Sequence, residues 1–264
     1  MSDVVALVAS LVGLVIAWLL TVPLFRFKEM RPMTPRDVSN EAGLEIRAVV
    51  RHARCPKCHR DHGPADVLPV VSWLRGCPGC GLRLPATVAV FQLALPLAAA
   101  ITAIVFDPVW VVVLFVWFAV VVTSVAVVDA RVWLIPWWAP WVGSAVGAVL
   151  MVIASLSVDD TQRLVWALAG AVGAFVVFFV LWFVAPGRLG FGDVRLSFMI
   201  GLFLGWIDPL LVVWGLLFGS VVGLIVGLWT LVVRKGGHFA FGPALGIGAL
   251  LAVWLQDYLL VSAG

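Results

Sequence analysis

Charged residues are scarce in this chain of 264 residues: Asp, Glu, Lys and Arg together make up 12% of it, whereas 63% of the residues are hydrophobic. Soluble globular proteins do not have this balance, so the composition excludes that class and indicates a polytopic membrane protein. The long apolar runs also lack the alternation of apolar and polar residues that transmembrane β-strands show, which excludes a β-barrel. The spans must therefore be helices.

Basic residues are missing before the first apolar run and begin after it, at Arg26. A cleaved signal peptide carries basic residues in front of its apolar segment, so we expect this run to persist as a helix with its N-terminus outside. About 20 apolar residues are needed to cross the hydrocarbon of a bilayer. The predicted spans are 4–25, 87–106, 109–128, 138–156, 164–185, 193–206, 209–233 and 239–261.

Basic residues are also distributed unevenly between the two sides that these spans define. With the N-terminus outside, the cytoplasmic segments are 26–86, 129–137, 186–195 and 234–238, and they hold 16 of the 17 Lys and Arg residues. Lys and Arg collect on the cytoplasmic side of membrane proteins, so this orientation is favoured. The net charge of +3 then reflects topology, and we expect a lipid bilayer and no nucleic acid as partner.

All four cysteines fall in one short segment, as Cys55, Cys58, Cys77 and Cys80. Two C-x2-C pairs at this separation are typical of tetrahedral zinc, and four thiolates leave no open position, so the zinc is predicted to be structural. A thioredoxin-like redox site predicts a single pair near a βαβ unit, and the cytoplasm disfavours disulfides. His59 and His62 could also bind metal, but with four cysteines available we interpret them as surface residues.

The sequence thus predicts an all-α polytopic membrane protein of about eight transmembrane helices, with a small cytoplasmic zinc-binding loop domain after the first helix. The first helix occupies 1–25 and the four-cysteine domain 26–86. A seven-helix transmembrane domain occupies 87–264. The middle domain is too short to fold on a hydrophobic core alone, and zinc would supply the missing stability.

Two aspartates, Asp129 and Asp193, are predicted to lie where membrane spans meet the same face of the bilayer. A carboxylate next to hydrocarbon is costly, about 2.5–3.5 kcal/mol at the middle of a span, so it is expected to have a function. Two close carboxylates hold one proton between them, which is the chemistry of aspartyl proteases. The alternative is that each aspartate only caps a helix.

The sequence around these aspartates resembles the prepilin peptidases, also called type IV prepilin leader peptidases, which are polytopic aspartyl proteases with a GxGD motif. The resemblance runs over most of the chain. The matching segments are Asp129-x5-Ile135-Pro136, Gly190-Phe191-Gly192-Asp193-Val194-Arg195-Leu196, Phe241-Gly242-Pro243 and, between the cysteine pairs, the stretch from Asp66 to Leu74.

The resemblance implies eight transmembrane helices in the bacterial cytoplasmic (inner) membrane, with the active site at the cytoplasmic face. Asp129 and Asp193 would be catalytic, and Gly190, Gly192 and Pro136 would support their motifs. The implied reaction removes a short basic leader from a pilin or pseudopilin precursor, next to a glycine and ahead of a hydrophobic helix. Many members also methylate the new N-terminus with S-adenosylmethionine, through the four-cysteine domain.

Two segments depart from the pattern of the members that methylate. Family members often have an Asn- and Arg-bearing stretch after the first span, where this chain has Leu-Phe-Arg-Phe-Lys-Glu-Met at 24–30. Many also have a Glu at the start of the second span, where this chain has Gln92. These departures argue against methylation, and the sequence leaves open whether S-adenosylmethionine binds.

Three other interpretations make distinguishable predictions. A GxGD intramembrane protease with another membrane-protein substrate shares the aspartates, but the Ile-Pro motif and the cysteine pairs argue against it. A proton-coupled transporter would place its acidic residues near the middle of the bilayer, between repeats or broken helices. A zinc-stabilised scaffold without catalysis would tolerate replacement of both aspartates.

Overall fold

The computed structural model describes residues 2–25, 55, 57–58, 60–84, 86–184, 189–234 and 240–262. Much of the predicted four-cysteine domain, including 26–54 and His59, therefore lies outside the described residues. Within them the chain is helical, apart from a short loop-rich segment at 55–84. The helices are α1 (Ser2–Phe25), α2 (Val71–Arg75), α3 (Ala86–Val105), α4 (Val109–Val132), α5 (Ala139–Ser157), α6 (Gln162–Val184), α7 (Phe191–Ile207), α8 (Pro209–Arg234), α9 (Gly242–Trp254) and α10 (Gln256–Val261).

The all-α polytopic class is confirmed, as is a cysteine cluster after the first helix. In the described part of the chain, α1, α3, α4, α5, α6 and α8 are long and apolar enough to cross a membrane. The predicted spans 193–206 and 239–261 correspond to helices shorter than the about 20 residues that cross a bilayer: α7 has 17 residues, and α9 has 13 before the chain continues into α10. Eight spans, and the division at residues 25 and 86, stay predictions.

Short non-helical segments that contain turn residues separate the helices. Pro108 is the N-cap of α4 and Pro209 opens α8, both after an aspartate, as expected of Asp-Pro turns. Asp208 accepts the backbone N–H of Leu210 at 2.7 Å, which satisfies one unpaired donor of the α8 N-terminus. At the other end of the bundle, Trp133 ends α4 in the left-handed conformation (φ 55°), and the chain there turns towards α5.

Helix α7 is enclosed by protein, because it packs against α5, α6, α8 and α9 and meets α4 through aromatic side chains. Its buried Phe203 contacts Phe115 and Phe118 of α4, and its buried Trp206 contacts Phe115, at ring-centroid distances of 4.7–6.2 Å. The indole N–H of Trp206 donates to the Ser155 hydroxyl at 2.9 Å, so this buried polar group is paired. A helix shielded from lipid in this way can carry a charged residue that an exposed span could not.

The packing places the beginning of α7 and the end of α4 at the same end of the bundle. Gly143 of α5 packs against Met199, and Gly147 further along packs against Phe203, so α5 and α7 run in the same direction. Helix α5 begins a few residues after the end of α4. The first turn of α7 therefore lies beside the last turn of α4.

The contact between α6 and α7 depends on glycines. A Cβ atom on Gly201 would lie 2.3 Å from the carbonyl oxygen of Gly170, and one on Gly205 would lie 2.6 Å from that of Trp166. No side chain fits at those separations, which is the close approach that small residues allow between membrane helices. Gly173, on the outer face of α6, has no such neighbour.

We predict that Gly201→Ala destabilises the bundle, because the methyl group must push α6 away from α7. Overpacking of this kind costs about 1–3 kcal/mol. The thermal unfolding midpoint in detergent should fall for Gly201→Ala and should hold or rise for Gly173→Ala, since the same substitution there meets open space. Equal midpoints for the two variants would contradict the packing described.

Candidate functional site

Asp129 lies in the last turn of α4 and is 5% exposed. Its Oδ2 accepts the backbone N–H of Gly242 at 2.9 Å. Gly242 is the first residue of α9, so the carboxylate faces the N-terminus of another helix, where negative charge is stabilised. A Cβ on Gly242 would lie 2.7 Å from the same oxygen, so this contact requires glycine.

Asp193 occupies the first turn of α7 and is 7% exposed. Its Oδ2 accepts the backbone N–H of Gly190, the N-cap residue of that helix, at 3.2 Å. The carboxylate thus binds at the N-terminus of its own helix, as the acidic member of a capping box does. The backbone N–H of Asp193 in turn donates to the Gly190 carbonyl at 3.1 Å.

The two aspartate motifs contact each other through Gly192 and Ile135. A Cβ on Gly192 would lie 2.9 Å from the Cβ of Ile135, which is itself buried. Pro136 follows in the same loop, is buried, and accepts the backbone N–H of Ala139 as α5 begins. The supporting positions predicted from sequence therefore lie where the loop after α4 meets the start of α7.

The two carboxylates interact electrostatically. Asp193 is close enough to Asp129 for the charge on one to act on the other, and both are largely removed from water. Like charges in such a setting repel each other, and water screens them less than it would at the surface. The sequence prediction that Asp129 and Asp193 lie together at one end of the helices agrees with this arrangement.

The four cysteines form a compact cluster. The Sγ atoms of Cys55 and Cys80 are 3.5 Å apart, those of Cys58 and Cys77 are 3.6 Å apart, and all four lie within 4.8 Å of one another. Thiolates bound to one tetrahedral zinc at about 2.3 Å would be separated by about 3.8 Å. The thiols are not bonded as disulfides, and His62 is not a member of the cluster.

Each cysteine pair sits in the same kind of backbone turn. The backbone N–H of Cys55 donates to the carbonyl of Arg60 at 2.9 Å, and that of Cys77 donates to Leu82 at 2.8 Å. The second turn begins after Gly76, whose φ of +67° suits glycine, and a Cβ there would lie 2.6 Å from the Leu82 carbonyl. The two turns thus contribute two thiols each to one small volume.

The thiols of this cluster differ in pKa. Hydrogen bonds from the backbone N–H groups of Cys58 and then Lys57 outweigh burial and lower the pKa of Cys55 to about 6. The backbone N–H of Arg60 acts in the same sense on Cys58, but desolvation and the neighbouring thiols outweigh it and raise that pKa to about 11. Crowded thiolates repel one another, and a bound cation would offset that repulsion.

A buried polar network joins the four-cysteine segment to the membrane helices at Gln92. Its carbonyl oxygen accepts the indole N–H of Trp73 at 2.8 Å, and its amide nitrogen donates to the Thr21 hydroxyl at 3.0 Å and to the Val67 carbonyl at 2.9 Å. Gln92 and Thr21 are both fully buried. One side chain thus ties together α1, α3 and the segment between the cysteine pairs.

Two of these contacts were not predicted from sequence. The Phe-Gly-Pro turn at 241–243 was noted, but only the structure shows the Gly242 N–H bound to Asp129. Gln92 was noted as a departure from a family pattern, and its bonds to Thr21, Val67 and Trp73 depend on residues 19–71 positions away. An isolated glutamine in an apolar run was the available signal, since buried amides need partners.

Together these features define a multi-pass membrane protein with a pair of buried carboxylates at one end of its bundle and a four-thiol site capable of holding a metal ion. Comparison with protein-family models finds no match, and no solved structure matches. Several curated proteins are similar to this chain over most of its length.

The chain is 25% identical over 94% of its length to the type 4 prepilin-like proteins leader peptide-processing enzyme of Escherichia coli O78:H11, and covers 93% of that protein. It is 27% identical to the prepilin leader peptidase/N-methyltransferase of Pseudomonas aeruginosa, over 94% of this chain and 89% of that one. A Bacillus subtilis protein of the same name is 25% identical over 81% and 86%. These similarities confirm the predicted resemblance to the prepilin peptidase family.

We predict that Gln92→Glu destabilises this protein, although Glu is the residue that the family resemblance leads us to expect there. A carboxylate has no hydrogen to donate to the Val67 carbonyl and would bury a charge beside it. Leaving a buried group unsatisfied costs about 1–3 kcal/mol, and more for a charged one.

Thermal unfolding in detergent and protease digestion of the 55–84 segment would measure the effect. Gln162→Glu is the matched control, because Gln162 is exposed in the first turn of α6, where an added negative charge is favourable. A Gln92→Glu protein as stable at neutral pH as the unaltered chain would contradict the network's role.

Proposed function

We propose that this chain is a membrane aspartyl endopeptidase that removes the leader peptide from type IV pilin-like precursors, with Asp129 and Asp193 as its catalytic pair. The observation that carries the proposal is the burial of these two carboxylates within reach of each other's charge, each held by one backbone N–H. The names of the similar curated proteins support the reaction and the substrate class.

Helix capping alone does not account for the pair. Both aspartates do accept backbone N–H groups at helix N-termini, as the capping interpretation predicts. A Ser or Asn would satisfy the same N–H groups without burying a charge. Two carboxylates that repel each other lower the stability of the fold. Acid–base chemistry explains why both are present, and capping does not.

The proposed mechanism follows from the coupling of the two groups. The pair holds one proton, since ionising both would bring two like charges together in a medium of low dielectric. The ionised aspartate takes a proton from water, whose oxygen attacks the scissile carbonyl carbon, while the protonated aspartate donates to the carbonyl oxygen. The aspartate that took the water proton then passes it to the leaving nitrogen as the peptide C–N bond breaks. A hydroxyl of the tetrahedral intermediate returns a proton to the other aspartate as the new carboxyl group forms, so the pair again holds one proton. Either aspartate can begin as the base.

We further propose that the pair lies at the cytoplasmic face of the bacterial inner membrane, with the N-terminus of the chain outside. The distribution of Lys and Arg supports this orientation. The packing agrees with it, because Thr21, at the end of α1, binds Gln92, near the start of α3, so the four-cysteine segment lies at that end. Helix α3 leads away from that end and α4 leads back to it. Asp129, in the last turn of α4, therefore lies at the same end.

Zinc is the metal we propose for the four-cysteine cluster. Cys55, Cys58, Cys77 and Cys80 supply a set of thiolates with no vacant position, and their separations fit a tetrahedral ion. Bound there, zinc would cross-link the two turns and stabilise a segment with little core of its own. The peptidase chemistry does not pass through this site.

We predict that Asp129→Asn and Asp193→Asn each lower leader cleavage by about 10²–10⁴-fold or more, because an amide cannot exchange the proton. A pilin precursor would be co-expressed with each variant, and leader loss followed by gel shift and N-terminal sequencing. Asp208→Asn, at the opposite end of the bundle, is the matched control and should cleave normally.

The mass of the new N-terminus in the same experiment would decide whether the product is methylated and hence whether S-adenosylmethionine is used.

Full cleavage by either aspartate variant would refute the assignment of Asp129 and Asp193 as the catalytic pair. A folded protein that cleaves none of several precursors would shift the substrate class to other membrane proteins.

We predict one zinc ion per chain, measured by elemental analysis of protein purified under reducing conditions. Cys77→Ser should lose the metal and the protease resistance of the 55–84 segment. Asp129→Asn should keep both, because its carboxylate belongs to a different site. Zinc-free protein with an ordered segment would show that the cluster is stable without metal.

A further inference from the structure

An apolar groove runs along the outside of the bundle between α6 and α8. It comprises two cavities of about 490 and 310 Å³ that share the wall residues Val177, Val213 and Leu216. The walls are almost entirely hydrophobic, with Ser220 as the one polar side chain among those that line the larger cavity. Trp166 lines one end and Leu181 the other, about 22 Å apart at the rise of an α-helix.

The groove exists because α6 and α8 both pack on α7 and touch each other little. Gly170 of α6 presses against Gly201, and Gly215 of α8 is so close to Leu204 that a Cβ there would lie 2.3 Å from its Cδ1. Each wall is fixed by its own contact with the central helix. The space between the walls is therefore held open by the packing behind them.

One end of the groove reaches the candidate active site. Leu189 and Phe241 line this end, and each directly precedes a glycine whose N–H binds a catalytic carboxylate, Gly190 for Asp193 and Gly242 for Asp129. The Phe241 ring is wedged between Phe178 of α6, at a centroid distance of 6.3 Å, and Gly223 of α8. A molecule lying in the groove would thus point its end at the two aspartates.

The middle of the groove is formed by small residues. Ala169 and Gly173 line it from α6, and a Cβ on Gly173 would meet no atom within 4 Å. Small residues one helical turn apart let another helix approach closely. Gly173 differs in this respect from Gly170, whose space is already taken by α7.

We propose that this groove docks the apolar helix that follows the cleavage site of the substrate, so that the scissile bond is held at Asp129 and Asp193. The proposal rests on the peptidase function proposed above, which requires a polypeptide at the end of the groove. Within the hydrocarbon a polypeptide must be helical to satisfy its backbone. The groove, about 22 Å long, runs along most of the roughly 30 Å of hydrocarbon that a span crosses, and its small residues suit the close approach of a helix. The competing occupant is a lipid acyl chain.

Filling the groove tests the proposal. We predict that Gly173→Leu and Ala169→Leu each lower kcat/KM at least about tenfold for a precursor with its full hydrophobic helix, because the added side chain displaces that helix. Ala148→Leu is the matched control, since Ala148 is exposed on α5, away from the groove. The assay uses purified protein in phosphatidylethanolamine/phosphatidylglycerol vesicles, and helicity and zinc content confirm that each variant is folded.

Photocrosslinking provides a second measurement that does not depend on a rate. A benzophenone side chain would be placed at Val213 in the groove and, as control, at Val149, which is equally exposed on α5. The uncleaved precursor, bound to the Asp193→Asn protein, should crosslink at Val213 and not at Val149.

The outcomes separate this inference from the proposed function. If the unaltered chain cleaves no precursor, the peptidase function itself fails. If it cleaves, and both groove variants cleave at the unaltered rate while Val213 crosslinks only to lipid, the groove holds an acyl chain and the docking proposal is overturned. Slow cleavage confined to the groove variants, with precursor crosslinks at Val213, establishes docking.

Discussion

The burial of two carboxylates beside each other is the constraint on which the rest of the structure depends. Each requires compensation from backbone N–H groups, because a charge without partners in a protein interior is not stable. Gly242 supplies it to Asp129 across 113 positions of sequence, and Gly190 supplies it to Asp193 within one turn. The helices α4, α7 and α9 must therefore meet at one end, and the remaining helices pack around that meeting point.

The position of the pair distinguishes among the functions that the sequence left open. Asp129 occupies the last turn of α4 and Asp193 the first turn of α7, so both lie at an end of the bundle. Transported ions usually bind near the middle of the bilayer, between broken helices. An end position instead lies next to both the aqueous phase and the membrane, which would supply the water and the polypeptide of the proposed hydrolysis.

Sequence patterns predicted the helices, the cysteine cluster and the joining of the two aspartates, because hydropathy, paired C-x2-C spacing and GxGD are local signals. They predicted a short span at 193–206 but not that this helix, α7, is enclosed by others, since its apolar composition looks the same whether it faces lipid or protein. They also missed the Gln92 network and the Gly242 contact with Asp129. Both depend on which distant backbone groups face them, and that information exists only in the packed chain.

Gln92 connects the four-cysteine segment to the membrane helices α1 and α3. Its oxygen accepts one hydrogen bond, its amide donates two, and the side chain is fully buried. An amide so engaged cannot act as an acid or a base. The network holds the described part of the segment against α1 and α3. Under the proposed function, acid–base chemistry belongs to the aspartates, and a structural role for the segment favours cleavage without methylation.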